Sequence, residues 1–419
     1  MDLRLQQAKI NKQVSTISIT GSKSETNRLL LLQALYPNLV LENTSNSDDS
    51  EVMMEALKLK PTTRNLQPIN IHHAGTAMRF LTSYFAIQEG NEVILTGSSR
   101  MKERPIKILV DALKQLGAEI IYTENEGFPP IKIIGKKLTQ SKVSLAANVS
   151  SQYISALLLI APKLENGLEL TLEGAITSIP YIQMTLALLN EIGVITSFEK
   201  NVLKVNSQFT IHNSQLIIES DWSSASYYYS IVALSEIGTQ ITLSSYKQNS
   251  LQGDAALAEI YKDFGVETLF NNNNSVTISK TLNLKPETLN LQLNNSPDIA
   301  QTIVVTCFGL GIGCHLKGLH TLKIKETDRL EALKTELTKL GASISVTNDS
   351  LTLQPSDANF LIGRNTTIAT YQDHRMAMAF APLALKTSLV IEDAEVVSKS
   401  YPTFWNDLKS IGFQISELK

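Results

Sequence analysis

The stretch LKTELTKLGASI, residues 333–344, reads as the end of an amphipathic helix, then a glycine, then the start of a strand. Leu333, Leu337 and Leu340 recur at helical spacing, and Gly341 is the residue type that most often closes a helix in the left-handed conformation. Four further stretches share this pattern: LVDALKQLGAEI (109–120), LALLNEIGVIT (186–196), LAEIYKDFGVET (257–268) and WNDLKSIGFQI (405–415). Five copies predict a repeated supersecondary unit.

The capping glycines define the period of this repeat. Gly117, Gly193, Gly265, Gly341 and Gly412 are separated by 76, 72, 76 and 71 residues. Helices that are apolar on nearly every side keep the same period, which is typical of helices enclosed by other elements. Their predicted starts are Ser24, Thr76, Ser151, Ser224, Asp298 and Asp373. With strand patterns such as VILTG and ASISVTNDSLTLQP, the sequence predicts six mixed α/β units, of which the first is shortened.

Six such units are too many for one core, because domains usually hold about 100 to 200 residues and this chain has 419. Two lobes of three units, dividing near residue 220 and separated by a cleft, are therefore predicted. A linear solenoid is the alternative, although these units are longer than most solenoid repeats.

Composition excludes several classes of protein. The net charge is -3 and only 18% of residues are charged, which argues against a broad nucleic-acid-binding surface. The two cysteines, Cys307 and Cys314, lie in apolar runs, so a disulfide scaffold is not expected. No apolar stretch reaches the roughly 20 residues that a membrane span needs. We therefore expect a cytoplasmic protein that binds neither membrane nor nucleic acid.

Arginines are concentrated in a few short segments. Nine occur in the chain, and six of them lie in GSKSETNR, AGTAMR, SRMKERP, KETDR and DHR, close to predicted helix starts. Helix N-termini attract anions, and arginine binds phosphate and carboxylate groups in a bidentate manner. The distribution predicts a site for a polyanionic small molecule. Solvated charge on helix surfaces is the competing interpretation.

These segments resemble a known family. GSKSETNR, AGTAMRF, RMKERPI, SSQY, NSPD, KETDRL, DHRMAM and KSYP are similar, in this order and across nearly the whole chain, to the 5-enolpyruvylshikimate-3-phosphate synthases. The resemblance implies an inside-out α/β barrel-like fold with two domains, each of three βαβαββ units. It further implies that residues 1–20 join 220–419 in one domain, that 21–219 form the other, and that the active site lies in the cleft between them.

The resemblance also implies the reaction. Members of the family are transferases that join the enolpyruvyl group of phosphoenolpyruvate to the 5-hydroxyl of shikimate 3-phosphate, release phosphate through a tetrahedral intermediate, and thereby serve chorismate and aromatic amino acid biosynthesis. They use no cofactor or metal, act as monomers, and are targets of glyphosate. The related UDP-N-acetylglucosamine enolpyruvyl transferases remain an alternative, although they usually carry a loop cysteine that RMKERP lacks. RNA 3'-phosphate cyclases and noncatalytic repeat scaffolds are more distant alternatives.

Carried over position by position, the family motifs assign two sets of binding residues. The implied contacts of shikimate 3-phosphate are Lys23, Ser24, Arg28, Ser150, Ser151, Gln152, Ser178, Asp298 and Lys325. The implied contacts of phosphoenolpyruvate are Lys23, Gly75, Arg104, Gln152, Arg329, Arg375 and Lys399. Ordinary helix capping is the competing interpretation for the serines.

Asp298, Glu326 and Lys23 are the implied catalytic residues. Asp298 would accept the proton of the 5-hydroxyl and Glu326 would exchange protons at C3, whereas Lys23 would bridge both substrates. Lys325 and Arg329 are four apart at a predicted helix start, so both can face the cleft, with Glu326 beside them. Helix capping is the alternative role of Asp298.

Three positions depart from the family pattern. His73 and Thr321 replace residues that are commonly asparagine, so neither is assigned a role. Phe80 follows Arg79 where proline is frequent, which leaves glyphosate sensitivity open. The pair His72-His73 is not expected to bind metal, because adjacent side chains do not converge easily and no third ligand is spaced nearby.

Overall fold

The computed structural model describes residues 1–10, 15–59, 67–147, 150–176, 178–284, 286–356 and 366–418. The chain forms two compact units, one comprising Met1–Thr20 with Glu219–Lys419 and the other Gly21–Ile218. The chain thus leaves the first unit after Thr20 and returns to it at Glu219.

Helices of the described residues are short, and the longest have 13 residues. In the unit Gly21–Ile218 they are α1 (Lys23–Leu35), α2 (Asp48–Lys58), α3 (Gly75–Ala86), α4 (Ser99–Lys102), α5 (Lys107–Gln115), α6 (Ser151–Ile160) and α7 (Ile179–Glu191). In the other unit they are α8 (Trp222–Leu234), α9 (Leu257–Ile260), α10 (Ala300–Leu310), α11 (Arg329–Lys339), α12 (His374–Phe380) and α13 (Phe404–Ser410). Not one of these described helices has the length and apolar character needed to cross a membrane.

Strands alternate with these helices along the chain. The first twelve are β1 (Asp2–Leu5), β2 (Ser15–Ile17), β3 (Val40–Glu42), β4 (Ile69–Asn70), β5 (Glu92–Thr96), β6 (Glu119–Tyr122), β7 (Ile131–Ile134), β8 (Lys142–Ala146), β9 (Leu168–Glu173), β10 (Thr196–Glu199), β11 (Val202–Val205) and β12 (Gln215–Ile217). The others are β13 (Gln240–Leu243), β14 (Val266–Phe270), β15 (Val276–Lys280), β16 (Thr288–Gln292), β17 (Gly313–Lys317), β18 (Ile344–Val346), β19 (Ser350–Leu353), β20 (Thr366–Ile368), β21 (Leu389–Ile391) and β22 (Ile415–Leu418).

The described strands form six sheets, three in each unit. Five sheets share one arrangement, in which a parallel pair joins the inner strand of an antiparallel hairpin, as in the order β4-β5-β7-β6. The corresponding orders are β8-β9-β11-β10, β2-β13-β15-β14, β16-β17-β19-β18 and β20-β21-β1-β22. The sixth sheet pairs only β12 with β3, in parallel. The predicted six α/β copies with a shortened first unit are confirmed.

Strands near the chain crossings complete sheets that are distant in sequence. β1 lies between β21 and β22 and pairs antiparallel with both. β2 pairs in parallel with β13. β12 provides the parallel partner of β3 in the other unit. The N-terminal residues therefore complete two sheets of the unit that contains Glu219–Lys419.

The apolar helices are enclosed, as their composition predicts. Every residue of α8 and of α10 is buried, and in α6 only Gln152 is partly exposed. The capping glycines 117, 193, 265, 341 and 412 all have positive φ values, between 70° and 112°. Glycine enters this left-handed region without the steric penalty that a Cβ brings, so the cap prediction is confirmed.

The predicted helix in LAEIYKDFGVET is shorter than its pattern indicates. Only Leu257–Ile260 is α-helical, and 3-10 turns at Gly253–Ala256 and Tyr261–Phe264 flank it. Tyr261 and Phe264 are both fully buried. The tighter 3-10 winding places residues three apart on the same side, which lets both rings enter the core.

Gly265→Ala is expected to destabilise the protein more than Gly90→Ala does. Both glycines have similar positive φ values, 70° and 79°, so both variants carry the left-handed penalty of about 1 to 2 kcal/mol. A Cβ on Gly265 would also lie 2.0 Å from the Leu282 carbonyl oxygen, whereas one on Gly90 meets nothing within 4 Å. Urea unfolding should separate the two variants, and equal midpoints would contradict this account.

Candidate active site

In the unit Gly21–Ile218, the first turns of several helices are joined by side-chain hydrogen bonds. Gln152 Nε2, at the start of α6, donates to Thr76 Oγ1 at the start of α3 over 3.0 Å. Arg28 of α1 donates to Ser155 Oγ of α6 and to the Tyr181 carbonyl oxygen of α7. These bonds bring together the helix starts on which the sequence places most of the predicted residues of this unit.

Arg28 is a buried cation held by neutral oxygens. Its Nε donates to Thr185 Oγ1 over 2.7 Å, and its Nη1 donates to the Ser24 carbonyl oxygen over 2.7 Å. The Phe80 ring lies 5.5 Å from Cζ, within cation-π range. Burial lowers the pKa of Arg28 to about 10, with Tyr181 and Glu25 opposing the shift. The guanidinium stays charged at neutral pH, and the four oxygens that accept from it are neutral, so they do not cancel its charge.

Gly75 begins α3 directly against two guanidinium groups. A Cβ placed on Gly75 would lie 2.6 Å from Arg104 Nη1 and 2.7 Å from Arg79 Nη1. Arg79 Nη1 also donates to the Gly75 carbonyl oxygen over 2.8 Å. Ala74 at the N-cap has no side-chain oxygen to accept from the first-turn N–H groups. A helix N-terminus beside two arginines is suited to bind an anion.

Lys23 is the first residue of α1, where the helix dipole disfavours a cation. Asp49 compensates for this, because its Oδ2 lies 3.1 Å from Lys23 Nζ. Its other oxygen, Oδ1, lies 4.0 Å from Nε2 of the half-exposed His73. The sequence reasoning identified Lys23 but missed Asp49, which is one of several acidic residues in the first turn of α2.

Three of the four predicted serines of this unit, Ser150, Ser151 and Ser178, differ in geometry. Ser150 is the N-cap of α6, and its Oγ accepts from the Gln152 N–H over 3.3 Å. Ser151 follows as the first residue of the helix and is buried. Ser178 is the N-cap of α7 in the left-handed conformation, with φ of 55°, and its side chain makes no capping bond. The capping interpretation therefore holds for Ser150.

In the other unit, Asp298 lies among three cations. Its Oδ1 accepts from Arg329 Nη1 over 2.9 Å and lies 3.4 Å from Lys325 Nζ, and its Oδ2 lies 3.4 Å from Arg375 Nη2. Burial alone would raise the pKa of Asp298, but Lys325, Arg375 and Arg329 outweigh it and hold that pKa well below its ordinary value. Asp298 is therefore ionised at neutral pH, and its carboxylate pairs with cations.

Arg329 connects Asp298 to two further carboxylates. The guanidinium is only 2% exposed, and its Nε donates to Asp373 Oδ2 over 2.6 Å. Its Nη2 donates to Glu326 Oε2 over 2.8 Å. Burial would lower the pKa of Arg329, but the three carboxylates raise it above its ordinary value. The sequence reasoning placed Asp373 at a helix start and did not identify it as a partner of Arg329.

Lys325 lies outside helix α11, so the predicted helix start at this residue is wrong. Asp328 is the N-cap, and its carboxylate accepts from the Leu330 and Glu331 N–H groups, so α11 begins only at Arg329. Lys325 instead follows the 3-10 turn His320–Ile324. A short aspartate side chain in extended backbone satisfies two first-turn donors, which favours a start at this position. Lys325, Glu326 and Arg329 nevertheless converge around Asp298.

Arg375 and Lys399 meet at the start of α12. Arg375 Nη1 donates to the Asp298 carbonyl oxygen over 3.3 Å, and the Arg375 N–H donates to Asp373 Oδ1 over 2.8 Å. Lys399 Nζ donates to the Gln372 carbonyl oxygen over 2.7 Å. Gln372 itself has a left-handed φ of 57°. The turn before α12 therefore brings Lys399 to the DHR segment.

Neither the described histidines nor Thr321 acquires a binding role from the structure. Among the residues that the structure describes, no group of three or more His, Cys, Asp or Glu side chains is arranged to hold a metal ion. Thr321 Oγ1 is buried, and it has no hydrogen-bond partner within the described ranges.

Known proteins are similar to this chain over nearly its whole length. The sequence model of the family EPSP synthase (3-phosphoshikimate 1-carboxyvinyltransferase) matches residues 59–408. A 3-phosphoshikimate 1-carboxyvinyltransferase of Bacteroides fragilis (strain YCH46) is 46% identical over 403 residues, which cover 96% of each chain. The chain belongs to the EPSP synthase family. The family and the transferase class predicted from the sequence are confirmed.

Further relatives extend the similarity. A 3-phosphoshikimate 1-carboxyvinyltransferase of Haemophilus influenzae (strain Rd) is 36% identical over 432 residues, covering 96% of this chain and 98% of the relative. The structure of the Acinetobacter baumannii EPSP synthase superposes with a TM-score of 0.78 at 18% identity, covering 99% of this chain and all of that one. The predicted fold is therefore confirmed as the fold of the EPSP synthases.

Arg329→Met is expected to cost about 3 to 5 kcal/mol of unfolding free energy at pH 7, because buried carboxylates lose their shared cation. In the wild type the depressed pKa of Asp298 contributes stability above about pH 4 that is lost as the pH falls. In the variant these carboxylates favour protonation, so its deficit should shrink between pH 7 and pH 4.

Urea unfolding at several pH values measures this effect. Lys262→Met is the control, because Lys262 forms an exposed pair with Glu259 and should change stability little at any pH. A deficit for Arg329→Met that is independent of pH would refute the electrostatic explanation.

Proposed function

We propose that this protein transfers the enolpyruvyl group of phosphoenolpyruvate to the 5-hydroxyl of shikimate 3-phosphate and releases phosphate. The observation that carries the proposal is the 46% identity, over 96% of both chains, to a 3-phosphoshikimate 1-carboxyvinyltransferase. Two features of the structure support it. One is the pair Arg79 and Arg104 against Gly75 at the start of α3, and the other is the ionised Asp298 among cations.

Both substrates are polyanions, and the proposed contacts are rich in cations and N–H donors. For shikimate 3-phosphate we propose contacts with both units, through Lys23, Ser24, Arg28, Ser150, Ser151, Gln152, Ser178, Asp298 and Lys325. For phosphoenolpyruvate we propose Lys23, Gly75, Arg104, Gln152, Arg329, Arg375 and Lys399. The buried charge of Arg28 and the guanidinium groups beside Gly75 support these assignments. We add Arg79 to the proposed phosphoenolpyruvate contacts, because its guanidinium lies against Gly75 as that of Arg104 does.

In the proposed addition step, Asp298 accepts the proton of the 5-hydroxyl while that oxygen attacks C2 of phosphoenolpyruvate. Glu326 delivers a proton to C3, which gives a tetrahedral intermediate. In the second step Glu326 takes a proton back from C3, the bond between C2 and the phosphate oxygen breaks, and the proton held by Asp298 passes to the leaving phosphate, so that the enol ether and phosphate result. No oxidation state changes, so the reaction requires no redox cofactor.

A base with a strongly depressed pKa is a poor proton acceptor. We propose that substrate binding raises the pKa of Asp298. Lys325, Arg375 and Arg329 hold the pKa of Asp298 low in the free protein. A phosphate or carboxylate group bound to these cations would share their charge and raise the proton affinity of Asp298. Proton transfer would thus become favourable only when the anionic substrates are present.

Phosphate release tests the proposed function directly. The protein should release phosphate from phosphoenolpyruvate when shikimate 3-phosphate is supplied and should not do so with UDP-N-acetylglucosamine. Activity with the nucleotide sugar alone would replace this proposal with the related transferase. The cytoplasmic location and the monomeric state stay predictions from the sequence, and sensitivity to glyphosate stays open.

Glu326→Gln should lower kcat by about two to four orders of magnitude, because general acid-base catalysis contributes that much. Gln keeps an oxygen that accepts from Arg329, so KM for both substrates should change little. Steady-state kinetics measure both constants. The control is Glu331→Gln, five residues later, since Glu331 forms only an exposed pair with Lys334. Equal kcat in the two variants would exclude Glu326 from proton transfer.

Lys23→Met should weaken the binding of both substrates by about tenfold or more, because hydrogen bonds to charged groups contribute roughly 1.5 to 3 kcal/mol. The substitution also removes the ammonium group that lies 3.1 Å from Asp49 Oδ2. Titration calorimetry of each substrate provides the affinities, and Lys58→Met, at the exposed end of α2, is the control. Wild-type affinity for either substrate would rule out the bridging role.

A further inference from the structure

Asp254 is a buried carboxyl group to which the proposed mechanism assigns no role. It lies in the 3-10 turn Gly253–Ala256 and is only 4% exposed. Its Oδ2 accepts a short hydrogen bond from the Ser223 hydroxyl. Its Oδ1 is buried and has no hydrogen-bond partner among the described residues. Burying a carboxyl group with so few partners costs free energy, so a role besides stability is expected.

Ser223 connects this carboxyl group to Arg375. Ser223 is in the first turn of α8, and its Oγ accepts from Arg375 Nη2 over 3.2 Å. A serine hydroxyl has one proton and two lone pairs. Because Asp254 takes the proton, the lone pairs of Ser223 are directed to other donors, and Arg375 is the donor within reach.

Arg375 is consequently fixed at two points of its guanidinium. Nη2 donates to Ser223 and lies 3.4 Å from Asp298 Oδ2, and Nη1 donates to the Asp298 carbonyl oxygen over 3.3 Å. Its Nε is buried and lacks a hydrogen-bond partner within the part of the chain that the structure describes. The two bonds to Nη1 and Nη2 determine where the plane of the guanidinium lies and where its remaining donors are directed.

We propose that Asp254 is a positioning residue, which acts through Ser223 to orient Arg375 for the anionic groups of phosphoenolpyruvate. This inference rests on the proposed function and on the assignment of Arg375 to that substrate. Asp254 contacts the Ser223 hydroxyl, and it fixes the direction of a hydrogen bond that Arg375 donates. Orientation matters here because an arginine binds carboxylate or phosphate in a planar, bidentate geometry.

The charges around Asp254 are consistent with this role. Burial, followed by the negative charge of Asp298, raises the pKa of Asp254 to about 7, while Arg375 and the Ser223 hydrogen bond oppose the shift and Asp221 adds to it. Asp254 and Asp298 thus both interact with Arg375. A carboxyl group with this pKa is partly protonated at neutral pH. It can therefore accept the hydrogen bond from Ser223 while adding little negative charge that would repel a bound anion.

Variants of the two residues test the proposal. Ser223→Ala and Asp254→Ala should each raise KM for phosphoenolpyruvate about tenfold, with KM for shikimate 3-phosphate unchanged, because one charge-assisted hydrogen bond loses its geometry. The double variant should match the single variants, since both residues act through one bond. Asp254→Asn keeps an acceptor oxygen for Ser223 and should restore KM to within about threefold of the wild type.

Ser226→Ala is the matched control, because its hydroxyl is buried on the same helix and bonds to the Ser223 carbonyl oxygen and to Thr302, without contact to Arg375. It should leave both KM values unchanged. Urea unfolding of every variant distinguishes a loss of folding from a changed orientation of Arg375. If Asp254→Ala does not fold, Ser223→Ala is sufficient to test the proposal.

Two results would overturn the inference. One is a KM for phosphoenolpyruvate within twofold of the wild type in Ser223→Ala. The other is an equal rise of KM for both substrates, which indicates general damage. The wild-type protein is assayed first with both substrates. If it shows no transfer, the proposed function fails, whereas an active wild type with unaffected variants refutes only the role of Asp254.

Discussion

The buried guanidinium of Arg329 is the interaction on which one half of the candidate site depends. It donates to Asp298, Glu326 and Asp373, which belong to three different segments of the chain. Each of these carboxylates is costly to bury alone, and one planar cation with several donors stabilises all three. The segments NSPD, KETDR and DHR are therefore held together by charge, while the apolar helices behind them provide the core.

A buried arginine of the unit Gly21–Ile218, Arg28, has a different kind of partner. Arg28 is held by hydroxyl and carbonyl oxygens and by an aromatic ring, so its positive charge is not neutralised by a direct carboxylate partner. Arg79 and Arg104 lie against the start of α3, where the helix dipole adds to their charge. The arginines of this unit's candidate site thus lie among neutral oxygens, an aromatic ring and a helix start, whereas the cations around Asp298 are largely balanced by carboxylates.

The two groups of charged residues therefore have different roles toward two polyanionic substrates. The buried Arg28 and the helix starts attract anions, and the balanced cluster around Asp298 keeps a carboxylate ionised until an anion changes the balance. Ser223 and Asp254 extend that cluster, because they fix the orientation of an arginine that also contacts Asp298. Binding and proton transfer are then coupled through the same cations.

The repeat, the capping glycines, the enclosed helices and the segments that carry the site could all be predicted from the sequence, because helical periodicity and left-handed glycine are properties of short stretches. Asp49, Asp373 and Asp254 could not be identified as partners of Lys23, Arg329 and Ser223. The start of α11 was placed too early, since Asp328 competes successfully as the N-cap. The sequence by itself determined which residue types stand at the helix starts. Only the tertiary structure decided their partners, because hydrogen bonds such as that between Arg375 and Ser223, 152 positions apart, exist only after the sheets have paired.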